Sequence, residues 1–149
     1  MPESKKSIYK PRNPKKYKGD VNNIICRSSW EEKFCGYCDI NENILQWGSE
    51  EFHIPYRAPD GKIRRYYPDF LIKVKENNGK IKTYVIEVKP FKQTKPPKKR
   101  KKVTQSYLYE CKTYAVNEAK WKFADDWCKN RGIQFKIITE RELGIHHGR

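Results

Sequence analysis

The sequence contains no apolar run approaching the roughly 18 residues that a membrane-spanning helix requires, and its N-terminus lacks the apolar stretch of a secretory signal. A soluble protein made in a cytoplasm is therefore expected, with no membrane partner. A disulfide framework is also missing. The five cysteines, Cys26, Cys35, Cys38, Cys111 and Cys128, are odd in number, which points to free thiols in a reducing compartment. Cys35 and Cys38 form a CxxC, but a zinc site needs two further ligands, and His53, Cys111 and Cys128 do not stand at finger-like spacing. A redox motif would place its first cysteine at a helix N-terminus after a strand. This pair falls inside a predicted helix, so both are expected as small buried hydrophobes. Apolar residues are scarce too, at 36% against 34% charged over 149 residues. That is enough for one domain with a modest core and a heavily solvated surface.

Acidic charge is absent where basic charge is densest. Residues 1–18 hold seven Lys/Arg against one Glu, and residues 89–102 hold eight against no acid, so these two segments carry +14 of the net +15. The remainder is nearly neutral. Charge confined to two arms is the footprint of a polyanion, because each neutralised phosphate releases condensed counterions. Lys15 and Lys16 in the first segment, and Lys92, Lys95, Lys98, Lys99, Arg100, Lys101 and Lys102 in the second, are the candidate DNA contacts. Residues 1–20, rich in proline and lysine, are expected as a flexible extended arm, and residues 21–149 as a single domain containing a basic loop at 90–104.

Within that domain a helix is predicted from Ser28 or Ser29, either of which can cap it, with Glu31 or Glu32 three residues on and Trp30, Phe34, Tyr37 and Cys38 as its apolar stripe. Phe52, Ile54 and Tyr56 alternate with polar neighbours as a strand, and Pro59-Asp60-Gly61 is a turn. Strands are predicted over about Ile63–Val74 and Ile81–Val88, apolar on both faces at their middles, as for a central pair with helices on either side. A helix from about Gln105 to Gly132, with a possible break at Asn117, a strand over Ile133–Ile138 and a short helix after Thr139 complete an α-β-β-β-α-β order. The fold class is α/β, a mixed sheet flanked by helices.

Two strings on the central strands carry the chemistry: Pro68-Asp69 in YYPDFLI and Glu87-Val88-Lys89 in YVIEVKP. Register decides whether they meet. A two-residue Asn78-Gly79 turn would place Asp69 opposite Val88. A three-residue loop with Gly79 in the left-handed conformation pairs residue 76 with 80, and sets Asp69 across from Glu87 with Lys89 on the same face. The second register is the expected one. Two carboxylates then suit a divalent ion such as magnesium, or manganese in its place, with the backbone carbonyl of Val88 as a further oxygen. Lys89 would orient the attacking water or stabilise charge on a phosphodiester. Glu31 joins if the first helix sets its N-terminal turn beside the sheet. Glu87 follows Tyr-Val-Ile on a strand apolar on both faces, where an unpartnered carboxylate is costly.

Glu31 on a first helix, Pro68-Asp69 on one strand and Glu87-Val88-Lys89 on the next together resemble the PD-(D/E)XK nuclease superfamily. The stretches RSSWEEKFCGYCD, WGSEEFHIPY, YYPDFLI, VIEVKP, NEAKW and FKIITERELG, between about residues 8 and 144, are similar to the phage head-completion nucleases and to the N-terminal catalytic domain of TnsA-type transposition endonucleases. The resemblance implies a restriction-endonuclease-like α/β core and magnesium-dependent cleavage of double-stranded DNA or its ends, as an endonuclease or exonuclease. Carried over by position, Asp69 and Glu87 are metal ligands, Lys89 the catalytic lysine and Glu31 the helix carboxylate. It further implies a late role in head completion and head-tail joining, in the host cytoplasm or as a virion component, beside head or neck (portal-associated) proteins. The competing expectations are a non-catalytic DNA-binding assembly protein that keeps the fold, and a restriction or transposition endonuclease.

Overall fold

A computed structural model describes residues 6–144. A mixed four-stranded sheet is built from β3 (Ile44–Ser49), β6 (Phe70–Lys75), β7 (Ile81–Val88) and β8 (Gln134–Ile138), in that spatial order. The first three run antiparallel, and β8 joins β7 in parallel after the crossover helix α2 (Gln105–Lys129). Two short ribbons flank this sheet: β1 (Ser7–Ile8) with β2 (Ile25–Cys26), and β4 (Ile54–Arg57) with β5 (Ile63–Tyr66). Helix α1 (Ser29–Ile40) precedes the sheet and the short α3 (Glu140–Leu143) follows it.

The central register is the expected one. Glu76 N–H donates to the carbonyl of Lys80 at 2.8 Å, Gly79 turns the chain at φ +82°, and the ladder proceeds from Lys75 opposite Ile81 to Phe70 opposite Ile86. Only glycine adopts that left-handed backbone without cost, so this one turn fixes every pairing down to Asp69 and Glu87. Phe70, Ile72, Ile86 and Val88 face α1, where they pack with Trp30, Phe34 and Trp47. Tyr17 and Trp47 meet edge to face with centroids 4.7 Å apart. Each such buried side chain contributes roughly 1.5–3 kcal/mol, so this face supplies most of the core. A second cluster joins Ile54, Tyr56, Ala58 and Tyr66 of the β4–β5 ribbon to Ala124 of α2.

Ser28 is the N-cap of α1, accepting from Glu31 N–H at 3.2 Å, and the Glu31 carboxylate reaches back to Arg27 N–H at the same distance. Thr139 and Glu142 form a complete capping box on α3. Cys35 and Cys38 lie buried within α1, Cys26 is in contact with Cys35, and all five cysteines are free thiols.

The structure departs from the expected elements in several places. The strand predicted over Ile63–Val74 is two strands in different sheets. Pro68, fully buried and without an N–H to donate, interrupts the ladder between β5 and β6. Strand β3 went unpredicted because its burial does not alternate. Trp47, Gly48 and Ser49 are buried in succession, and Gly48 is required since a Cβ there would lie 2.9 Å from the Lys18 carbonyl oxygen. Helix α2 runs unbroken through Asn117. The N-terminal segment is not a free arm over its described part, residues 6–20, and residues 1–5 lie outside the described ones. The buried Asp39 carboxylate binds it, accepting from the Tyr9 hydroxyl (2.8 Å), Arg12 N–H (2.7 Å) and Asn13 N–H (2.9 Å). The loop predicted over 90–104 begins with a 3-10 turn at Phe91–Thr94 and is otherwise irregular.

Candidate active site

Three chain segments reach the end of the sheet where β6 begins and β7 ends. Asp69 stands immediately before β6, and its Oδ2 accepts the backbone N–H of Val88 at 2.7 Å. Glu87 lies on β7, only 7% exposed, its Oε1 accepting the Tyr66 hydroxyl at 2.5 Å. Lys89, two residues on and on the same face, brings its Nζ to 3.5 Å from Glu87 Oε2. Glu31 arrives on the first turn of α1.

A fourth acid also reaches this end of the sheet. Glu50 follows β3, and one ligand oxygen each from Glu31, Glu50 and Asp69 lies within 4.8 Å of the others. Among the described residues Glu50 is the only non-glycine with a left-handed backbone, φ +53°. Its N–H donates to the Asp69 carbonyl at 3.2 Å, and the Tyr17 hydroxyl holds the adjacent Ser49 N–H at 3.1 Å. The Arg27 guanidinium grips its carboxylate at both oxygens, at 2.9 and 3.1 Å. The sequence signal for Glu50 was weak: it lies in the quoted stretch WGSEEFHIPY, but nothing in that stretch tells Glu50 from Glu51. Lys120 was missed as well. From α2 it lies 5.8 Å from the centre of the Tyr66 ring, and its charge acts on Glu87.

Electrostatics explain what the arrangement requires. Burial drives the Asp69 carboxyl well above its usual range, the charges of Glu87 and Glu31 push the same way, and the Val88 N–H and Lys89 oppose them. Glu31 is raised by burial and by Glu50 and Glu87, against Arg27. Glu87 is raised by burial despite Lys89, the Tyr66 hydroxyl and Lys120. The acids are thus short of positive charge, and the nearby Lys and Arg do not make up the deficit. An all-oxygen donor set with surplus negative charge fits a hard divalent cation rather than zinc or copper.

Matching the chain against known families assigns residues 41–140 to a family described as TnsA-like endonuclease N terminal. The chain belongs to the TnsA-like endonuclease family. Its core is the restriction-endonuclease-like α/β fold, and its activity is that of a nuclease acting on DNA. Asp69, Glu87, Lys89 and Glu50 all fall inside the TnsA-like match, whereas Glu31 precedes it. The chain is also 42% identical over 143 residues to a protein named head completion nuclease from Enterobacteria phage T4, covering 91% of this chain and 93% of that one. No solved structure matches it.

The predicted DNA-contacting residues separate into two groups. Lys92, Lys95, Lys98, Lys99, Arg100, Lys101 and Lys102 are exposed on the segment that leaves the site after Lys89. That segment is anchored where Phe91 N–H donates to Glu140 at 2.7 Å and its ring meets the Arg141 guanidinium at 3.7 Å. Arg100 pairs with Glu110 at 3.3 Å. Lys15 and Lys16 lie at the other end of α1, about 15 Å along the helix from Glu31. Lys15 is exposed, but the Lys16 ammonium donates to the carbonyls of Asp39 and Asn41, both at 2.9 Å, where it caps the helix C-terminus.

Proposed function

We propose that this chain is a magnesium-dependent deoxyribonuclease that processes packaged phage DNA during head completion, so that a tail can join the filled head. The observation that carries the reading is the convergence of Glu31, Glu50 and Asp69 beside the Tyr66–Glu87 hydrogen bond and the Glu87–Lys89 ion pair. Asp69 and Glu31, joined by Glu50, would hold the ion, with Glu87 and the Val88 backbone carbonyl as further oxygens, and manganese would substitute for magnesium. When bound, the ion neutralises charge on the reacting phosphate and lowers the pKa of the attacking water.

The chain's own residues do the rest. Tyr66 fixes one oxygen of Glu87, so that the other oxygen aims the Lys89 ammonium. Lys89 then orients the water and stabilises negative charge as it builds on the phosphoryl oxygens. Val88 N–H fixes the Asp69 rotamer, so ligand geometry is set before substrate arrives. The cationic run Lys92–Lys102 leads the DNA backbone toward these groups. The partners are double-stranded DNA, including its ends, and head or neck proteins at the portal, with the protein acting in the host cytoplasm during assembly or as a virion component.

The test is a plasmid-nicking assay on wild type, Asp69→Ala and Lys89→Ala, each with magnesium and with chelator. Cleavage by wild type in magnesium alone, with loss of at least about 10²-fold in both variants, is expected. Undiminished cutting by either variant, or by wild type in chelator, overturns the scheme.

A further inference from the structure

We infer that the β4–β5 ribbon is a second DNA-contacting surface, which grips the duplex beside the bond to be cut. The inference rests on the nuclease reading above. Pairing places Pro55 opposite Arg65 and Arg57 opposite Ile63 on one face, and continues to His53 beside Tyr67, whose rings are 5.5 Å apart. All six residues are exposed, Ile63 at 61% and Tyr67 at 47%. The opposite face, with Ile54, Tyr56 and Tyr66, is buried against α2, so the exposed face has a packed backing.

Charge on this face is uncompensated. The Arg57 guanidinium donates to the Gly61 carbonyl at 2.8 Å, and neither Arg57 nor Arg65 meets a carboxylate among the described residues. The ribbon's own acid, Asp60, is already engaged by Arg64 and by Lys62 N–H. Two guanidinium groups without a carboxylate partner, flanked by aromatic rings and by the apolar Pro55 and Ile63, are poorly suited to a protein interior. They suit a phosphate backbone, to which arginine donates paired hydrogen bonds. A two-stranded antiparallel ribbon also has the width that the major groove of duplex DNA accepts.

Position supplies the second argument. The ribbon runs directly into the site, since Tyr66 bonds Glu87 and only Pro68 separates Tyr67 from Asp69. Same-face residues repeat about every 6.7 Å, which places Arg65 roughly 13 Å of chain from Asp69. That distance is on the order of four nucleotides along one strand. The basic run 92–102 leaves the same site just after Lys89. Duplex held by both elements therefore lies across the carboxylates. Neither element alone would fix the direction of the strand.

The experiment measures binding of a fluorescent duplex to full-length protein in calcium, over a range of salt, for wild type, Arg57→Glu/Arg65→Glu and Lys80→Glu/Lys82→Glu. The control pair makes the same change in net charge at the far end of β6–β7, about 20 Å from Asp69. For the ribbon variant we expect binding at least about tenfold weaker, and a slope of log K against log salt shallower by about 1.8, the value of two phosphate contacts. The control should keep the wild-type slope. Thermal midpoints check folding, and Arg57→Gln/Arg65→Gln replaces the reversal if it fails to fold. An unchanged slope, or equal losses in both pairs, overturns the ribbon as a DNA surface. Normal DNA binding with defective head maturation would also overturn it, and would assign the face to a protein. A wild-type protein that neither binds nor cuts DNA would refute the nuclease reading itself.

Discussion

Replacing Asp69 with asparagine should stabilise the protein in chelator and destroy its response to magnesium. The side chain keeps its shape, and an asparagine oxygen can still accept the Val88 N–H that Asp69 accepts at 2.7 Å. The charge is what disappears. With Asp69, Glu31 and Glu50 oxygens within 4.8 Å of one another, each like-charge pair costs about 3.5 kcal/mol at an effective dielectric near 20, and Arg27, Lys89 and relaxation of the site cancel most of it. A net gain of about 1–2 kcal/mol corresponds to a rise of roughly 2–8 °C for a chain of this size. In magnesium at about 100 times its dissociation constant the order reverses, because wild type gains about 2.7 kcal/mol by mass action and the variant does not. The pH dependence follows from the direction of the shift. The folded Asp69 carboxyl lies above its unfolded value because of burial and of Glu87 and Glu31. Its charge therefore destabilises the chelated protein progressively as pH rises from about 4 through the raised folded value. The advantage of Asp69→Asn should thus vanish toward pH 4 and be largest at neutral pH. Calorimetric melting of both proteins in chelator and in magnesium, across pH, measures all of this. A variant less stable than wild type in chelator at neutral pH would refute the charge argument, as would a wild-type midpoint indifferent to magnesium.

Glu50→Gln should weaken manganese binding by roughly 10–100-fold in isothermal titration while the fold persists, since it removes one of three converging carboxylates; wild-type affinity would exclude Glu50 from the centre. Tyr66→Phe leaves an oxygen of the buried Glu87 without its donor, so a loss of about 1–3 kcal/mol is expected together with slower cleavage, read by denaturant titration and nicking. Asp39→Asn should cost about 1–3 kcal/mol, because the amide replaces an oxygen that faces donors with an NH₂ group. Burial alone would raise the Asp39 carboxyl, but the N–H groups of Arg12 and Asn13 and the Tyr9 hydroxyl outweigh it and hold it below its usual value. Its contribution is therefore present above about pH 4 and lost as pH falls through the depressed folded value, so the variant should show less acid sensitivity than wild type in melts between pH 5 and 2.

What the sequence by itself determined was local in origin. Gly79 permits the three-residue turn, that turn sets the register, and the register brings Asp69 beside Glu87 and Lys89. All of that is carried by about twenty consecutive residues with period-two side chains. Ser28 and Thr139 marked two helix starts by the same kind of short-range chemistry. The tertiary structure alone decided the rest, because the interactions involved span long stretches of chain. Glu50 joins the acids through a left-handed turn held by Tyr17, 32 residues before Ser49, and by Arg27, 23 residues before Glu50. The N-terminal segment reads as a solvated arm until the buried carboxylate of Asp39 supplies acceptors for its backbone. No pattern of spacing encodes such contacts, since each depends on where distant segments come to rest.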